Sequence, residues 1–364
     1  MFEKIIDKSI HTPFPEVDCA SDDFLRSNSR FSIAKKYLSR YLRLLLGGQI
    51  GLEVLTIPVN ARILWLHAGK RNIGDALIEA SGRTLLKSLG IKIDLLTLPN
   101  LAAVFGEDDV FINKYYDALD VDPLAYDYIL MTEFNHRTIR AKTKYFKKIP
   151  YACLFGYFYG PDRNQTMFSF AAINKVFCLG MNEVLVKLAK PYMYVDDATK
   201  NEILKIKPEA PFIAIAVGGI DANRTYQQWA SVLHLVDSSD LADVVKHVVL
   251  LGSENGSEDA QALLNLNLTH VKLTSYVAKL SLKESQAMIS QALRFVGCDG
   301  GLMHVAHTTS TPTVVVFASE PNHLRLTPSC FATPLQGVND VNDITPVQIL
   351  NGLKNSFNIK AEGN

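Results

Sequence analysis

The chain carries no excess of charge of either sign: 37 lysines and arginines stand against 37 aspartates and glutamates in 364 residues. A dedicated nucleic-acid binder carries a basic surplus, so no nucleic-acid partner is expected. No apolar run approaches the roughly 20 residues that cross a bilayer. The N-terminus, MFEKIIDKSIHTPFPEVD, has acids where an export signal has its apolar stretch, so no such signal is expected. Cysteine is scarce: Cys19, Cys153, Cys178, Cys298 and Cys330 are the five, and no two have C-x-x-C spacing. That argues against a disulfide framework or a structural zinc site. It points to the reducing cytosol, with the cysteines packing as small apolar residues. Repeats, low-complexity stretches, nucleophile elbows and Walker motifs are missing as well.

What is present is a 48% hydrophobic chain, able to bury sizeable cores. At about 100–200 residues per domain, the length suits two domains. In residues 1–58, Ala34, Leu38, Tyr41, Leu42 and Leu45 follow helical spacing, while Lys36, Arg40 and Arg43 lie on the other side. Between Asp23 and Glu53 there are six basic residues and no acid. From Arg62 the pattern alternates: strands at 63–67, 91–98 and 126–131, a helix from about 75 to 89, and a basic helix at 135–148. Pro191, Pro208 and Pro211 punctuate a polar linker at 191–211. A second series follows, with strands at 212–217, 247–251, 270–273, 294–298 and 313–317. Helices fit at 226–237, 257–265, 281–292 and 301–309, and a last helix follows Pro346. Alternation of this kind predicts an α/β protein with two Rossmann-like, doubly wound domains, 59–190 and 212–345, facing a cleft. Residues 1–58 form a helical extension, and 346–364 a C-terminal helix and tail.

The sharpest segment is VGCDGGLMHVAHTTSTPTVVVFA, residues 296–318. A strand ends at Cys298, two glycines follow, and a helix begins near Gly301. Unpaired N–H groups at such a helix start favour a phosphate, and glycine lets it approach the backbone. Asp299 would repel a phosphate directly, so it should face sugar hydroxyls, brace the loop, or serve as an N-cap.

The run D-G-G-L-M-H-V-A, followed by T-P-T-V-V-V-F-A, resembles the signature of family nine glycosyltransferases, the lipopolysaccharide heptosyltransferases of the two-domain GT-B fold. Asp299, Gly301, His304, Ala306 and Pro312 match that pattern, and Gly300 replaces its usual hydroxyl residue. Residues 63–97, 216–233 and 247–263 resemble the family's opening βαβ segment, its first donor-domain segment and the strand and turn after that. The likeness covers roughly 62–335 and is weak over 100–190; residues 1–58 have no counterpart in it.

The resemblance implies roles. Asp75, in Gly74-Asp75, matches the proposed general base, which takes the acceptor hydroxyl's proton as that oxygen attacks the anomeric carbon. Its place at a helix start also suits the helix dipole alone. Gly218, Gly219, Arg224, Asp299, Gly300, Gly301, Leu302 and His304 would hold the donor, with Arg224 on the diphosphate and Asn223 as its neighbouring alternative. Glu254, with Glu258 as an equal contender, would meet the ribose; a solvated turn is the plain alternative. His304 binds diphosphate or caps backbone, and His307 packs. Lys70, Arg71, Arg137 and Arg140 would receive an anionic acceptor. Asp120-Val121-Asp122 is a D-x-D triplet, but the resemblance implies metal-independent transfer, so no metal and no cofactor beyond the nucleotide sugar are expected. Gly156 and Gly160, among Phe155, Tyr157, Phe158 and Tyr159, read as a packed strand exit, with a sugar-stacking platform left open.

The expected function is inverting transfer of a sugar, heptose by resemblance, from an ADP-linked donor to a lipopolysaccharide-type acceptor. Its place would be the cytoplasmic face of the inner membrane, with the 24–46 helix as a peripheral membrane contact. Two alternatives stay open: a polysaccharide pyruvyltransferase, whose Gly-Asp segment NIGDALIEASG also resembles, and an inactive GT-B-like binding protein.

Overall fold

A computed structural model describes residues 2–10, 28–69, 72–160 and 163–358. The chain divides into two compact units, Met1–Ala189 and Lys190–Asn364. The first holds strands β1 (Ile63–His67), β2 (Ile93–Thr97), β3 (Phe111–Tyr115), β4 (Tyr128–Met131) and β5 (Tyr151–Cys153). They form a parallel sheet of order β3-β2-β1-β4-β5. The second holds β6 (Phe212–Ala216), β7 (His247–Leu251), β8 (Lys272–Ser275), β9 (Arg294–Cys298), β10 (Thr313–Phe317) and β11 (Ala332–Gln336). These are also parallel, in the order β11-β10-β9-β6-β7-β8. Every residue of β1 and of β10 is buried, because helices cover both faces of such a sheet. Both sheets reverse their strand order where the first strand meets the fourth, β1 beside β4 and β6 beside β9. In open α/β sheets ligands bind outside the strand C-termini at that point. The doubly wound α/β class read from the sequence is therefore the observed one.

Several expected elements take a different form. The helix expected over 75–89 is two helices, Ile73–Glu79 and Arg83–Ser88. The Ser169 hydroxyl enters the break: it donates to the Glu79 carbonyl at 2.7 Å and accepts from the Gly82 N–H at 3.0 Å. A side chain inserted into the backbone ladder ends a helix in this way. A Cβ on Gly82 would stand 2.5 Å from the Ser169 carbonyl oxygen, so the approach needs glycine. The stretch 191–211 is not bare linker. It carries the helix Asp197–Ile206, capped by Asp196 and packed on the helix Leu282–Gln291 within the second unit. The prolines flank this helix and do not interrupt it.

Residues 24–27 of the expected 24–46 helix lie outside the described residues; the helix runs Arg30–Leu46. It buries Ile33, Ala34 and Leu44, and its side packs on Tyr157 and Tyr159 through Tyr37 and Lys36. Leu38, Leu42 and Leu45, members of the apolar stripe read from the spacing, are exposed. The polar contacts of Arg40, whose Nη1 donates to the Tyr157 and Phe158 carbonyls at 3.1 and 3.0 Å, turn that side inward instead. The helix Phe2–Ile10 packs against it through Ile6 and Ile10. Beyond it, Glu53 bridges Tyr151 in parallel and the Val54 N–H donates to the Tyr151 carbonyl at 2.8 Å, so the segment lies along the outer edge of β5. The described residues before 58 are thus part of the first unit's packing. The last helix, Pro346–Asn358, packs on β10, β11 and the helix Trp229–Asp237. No described helix is long and apolar enough to cross a membrane.

Candidate functional site

In the second unit the chain leaves β6 through Val217, Gly218 and Gly219. Gly218 has φ +79°, and a Cβ there would stand 2.7 Å from the Gly256 Cα. Cβ atoms on Gly252 and Gly256 would meet the Val217 carbonyl oxygen at 2.6 and 2.7 Å. Small residues thus let the exits of β6 and β7 lie against each other, and Asn255 Nδ2 closes the contact by donating to the Gly219 carbonyl at 2.6 Å. Glu254 and Glu258 are both exposed beside this turn, and Ser257 Oγ donates to Glu254 Oε1 at 3.4 Å.

Next to this exit, β9 ends at Cys298, and Asp299 and Gly300 lead into the helix Gly301–Ala306. Gly300, with extended backbone, holds the N-cap position, and no side chain caps the helix. Asp299 is therefore not the cap: its buried carboxylate turns to two arginines. Oδ2 lies 3.7 Å from Arg224 Nη1 and 3.8 Å from Arg325 Nε. The same oxygen accepts no hydrogen bond among the described residues. A buried anion needs such compensating charge. Arg224 also stands 3.9 Å from Asp221, and Arg325 3.4 Å from Glu320. These ion contacts are longer than charge-assisted hydrogen bonds of about 2.7–2.9 Å, so both guanidinium groups keep N–H capacity for a ligand. Gly301 is exposed and Leu302 half-buried at the helix start.

His304 is buried in the same helix. His307 is fully buried, with Nε2 3.2 Å from Thr313 Oγ1, and burial followed by the charge of His304 pushes its pKa down to about 3. A neutral packing histidine is the result. The Cys298 thiol is pushed up to about 12 by burial, which makes it a packing group and not a nucleophile.

In the first unit Asp75 sits half-buried in the first turn of Ile73–Glu79, where Asn72 Nδ2 donates to Oδ2 at 3.4 Å. Lys70 and Arg71 lie outside the described residues. The loop leaving β1 meets the segment leaving β4: Arg137 Nη1 donates to the Gly69 carbonyl at 2.7 Å. A Cβ on Gly69 would overlap Glu133 Oε1, which also accepts from Asn135 Nδ2 at 2.9 Å. Asn135 caps the helix His136–Tyr145 by accepting from the N–H groups of Arg137 and Thr138. Arg137 is thus a brace for the Asp75 loop, whereas Arg140 is exposed one turn further on. Lys142 leaves the basic face altogether. It is fully buried, its Nζ donating to Gln49 Oε1 and to the Phe146 carbonyl, and burial lowers its pKa to about 8. Asp122 accepts from the Leu124 N–H at 2.9 Å, a turn cap. Phe155 stacks on Phe168, and Tyr157 packs on Phe134 and Tyr37, so the aromatic run is a packed strand exit.

Two charged groups escaped the sequence reading. Arg325 follows the short turn Asn322–Leu324 in PNHLRLTP, which shows neither periodicity nor a glycine signal. Glu133 sits in TEFNH, which reads as a polar turn. Its position directly after a buried strand, at the order reversal of the sheet, is the signal that would have found it.

Two parallel, doubly wound sheets and two arginines gathered by a buried carboxylate are what the structure shows, and the sequence comparison matches part of the chain to a class of glycosyltransferases. Residues 176–329 match the sequence model of glycosyltransferase family 9 (heptosyltransferase), a span that includes every donor candidate and Arg325. The resemblance read from the sequence holds over that segment. The fold is similar to that of a family 9 glycosyl transferase from Veillonella parvula, at 11% identity and a TM-score of 0.65 over 84% of this chain and 98% of that one. It is also similar to the E. coli ADP-heptose lipopolysaccharide heptosyltransferase II, at 16% identity and 0.61 over 82% and 99%. A third similar structure is E. coli heptosyltransferase WaaC with ADP-2-deoxy-2-fluoro heptose, at 14% and 0.55 over 81% and 99%. Among curated protein sequences there is no match.

Proposed function

We propose that the chain is an inverting glycosyltransferase that moves a sugar, heptose in the expected case, from an ADP-linked nucleotide sugar to a lipopolysaccharide or related anionic glycan. Arg224 and Arg325, held by one buried carboxylate at the crevice of the second sheet, carry this reading. In it, the acceptor hydroxyl oxygen bonds to the anomeric carbon as the bond from that carbon to the diphosphate oxygen breaks. Asp75 takes the hydroxyl proton, and the negative charge moves to the leaving diphosphate. The two guanidinium groups and the backbone N–H groups of Gly301 and Leu302 stabilise that charge. No metal or further cofactor is assigned a step. Glu254 is left as the proposed ribose contact and His304 as a diphosphate neighbour.

A thermal-shift panel of ADP-, UDP- and GDP-sugars against phosphoenolpyruvate tests the class of donor. Stabilisation by an ADP-sugar is expected; a shift with phosphoenolpyruvate alone would favour pyruvyl transfer. Arg224→Ala is expected to weaken ADP binding by about 1.5–3 kcal/mol, the usual loss of a hydrogen bond to a charged group. Calorimetric titration reads it, and an unchanged affinity would place the diphosphate away from this residue.

The proposed place of action is the cytoplasmic face of the inner membrane. The contact is assigned to the outward ridge of Arg30–Leu46, where Phe31 and Leu46 are 72% and 86% exposed and Leu38, Leu42 and Leu45 lie between them. An apolar ridge flanked by lysine and arginine suits an interfacial helix. Vesicles of phosphatidylglycerol should sediment the protein, and Leu42→Ser with Leu46→Ser should abolish that. Equal sedimentation of the double variant would make the ridge irrelevant to membranes.

A further inference from the structure

The two basic runs that the sequence separates by roughly a hundred residues line one groove. It has a volume of about 840 Å³ and lies between the helices Arg30–Leu46 and His136–Tyr145, both in the first unit. Lys36, Arg40 and Arg43 come from one wall and Arg140 from the other, and no acid lines it. Phe134 and Ile139 contribute apolar surface. Two of the cations are fixed in place. Arg40 is held by the Tyr157 and Phe158 carbonyls, and Lys36 Nζ stands 3.4 Å over the Tyr159 ring. Arg43 and Arg140 are exposed, and no carboxylate lies within ion-pair distance of either among the described residues. The nearest acid with an effect is Glu133, whose charge acts on Arg40 from outside the groove.

Four like charges gathered in one concave surface repel each other, and an incoming polyanion removes that repulsion. Three are guanidinium groups, whose planar fork suits phosphate oxygens. The apolar surface suits the face of a sugar ring. The groove lies beside the exit of β1: Asn135, one of its lining residues, donates to Glu133, which packs on Gly69.

We propose that this groove binds a phosphorylated part of the acceptor, so that the helix Arg30–Leu46 is a wall of the acceptor site. Given the glycosyltransferase reading on which this rests, the groove selects acceptors bearing phosphate at a distance from the reacting hydroxyl. Lys36, Arg40 and Arg43 then serve the acceptor, and the membrane contact falls to Leu38, Leu42 and Leu45, with Leu46 at the rim shared with the groove.

Inositol hexakisphosphate, titrated calorimetrically into the full chain, is the probe. It should bind, with inositol inert, and its affinity should fall as salt rises. Arg43→Gln with Arg140→Gln should weaken binding about tenfold or more. Lys147→Gln with Lys148→Gln, exposed lysines outside the groove, should leave it unchanged, and both variants should keep the wild-type melting temperature. No binding by the wild type, or equal weakening in the two double variants, overturns the proposal. So does binding to phosphatidylglycerol vesicles without any binding of the soluble polyphosphate, which would make the charges part of a lipid-docking face. ADP titrated in parallel separates the two readings. Loss of hexakisphosphate binding with ADP binding intact refutes the groove alone; the reverse result leaves the groove and refutes the donor reading.

Discussion

Asp75→Asn is expected to lower turnover by about a hundredfold or more while ADP affinity stays at the wild-type value. The amide keeps the shape of the carboxylate and the first-turn position in Ile73–Glu79, so the fold has no reason to change. It cannot accept the proton that the attacking hydroxyl must lose. In the proposed reading donor binding belongs to groups of the other compact unit, so a defect confined to turnover identifies the base. Glu133 is the comparison. Its carboxylate is already bound to Asn135 and pressed on Gly69, so Glu133→Gln should disturb the loop and change acceptor KM more than kcat. Steady-state kinetics on the two variants decide between them: near-normal turnover with Asp75→Asn and a collapse with Glu133→Gln would reverse the assignment.

The largest effect on stability is expected at Arg83 and Asp108. Both side chains are fully buried; Nε and Nη2 of Arg83 donate to Asp108 Oδ2 at 3.0 and 2.7 Å. Arg83 Nη1 donates to the Ala80 carbonyl at 2.8 Å, and Asp108 Oδ1 accepts from the Val110 N–H at 3.0 Å. The pair thus fastens the helix restart after the Ser169 insertion to the turn that enters β3. Removing one partner strands a charge in the core, so Asp108→Ala should destabilise the first unit by about 3–5 kcal/mol in urea unfolding. A paired replacement by leucines should recover part of that loss, because desolvating two charges offsets much of their attraction. A loss below about 1 kcal/mol in the single variant would show that water reaches the site.

The sequence showed strands where burial on both faces leaves an unbroken apolar run, as in ILWLH, FIAIA, HVVLL and TVVVF. It did not show β3, β5 or β11. Phe111–Tyr115 exposes two of its five residues, Tyr151–Cys153 is three residues long, and Ala332–Gln336 carries a proline on an outer strand. Such strands are made by their neighbours. The helix break at Ala80–Gly82 was hidden for a similar reason, since the hydroxyl that causes it lies 87 residues from Gly82. Asp299 was legible as a marked residue because its glycines surround it. Its partner Arg325 was not, because only the packing of the sheet brings the two together. On Arg30–Leu46 the spacing marked an apolar stripe correctly but could not show which face the first unit covers.

The pairing of Val54 with Tyr151 has a consequence for the order of events during synthesis. The two residues are 97 positions apart. At about 5–20 residues per second, the early segment waits roughly 5–20 s before its partner strand is made. Throughout that interval Tyr157, on which Tyr37 of the preceding helix later packs, does not yet exist. Completion of β5 is therefore the step at which the nascent N-terminal half can first gain its final shape. Substitutions that weaken this edge would be felt in the yield of folded chain before they were felt in its activity.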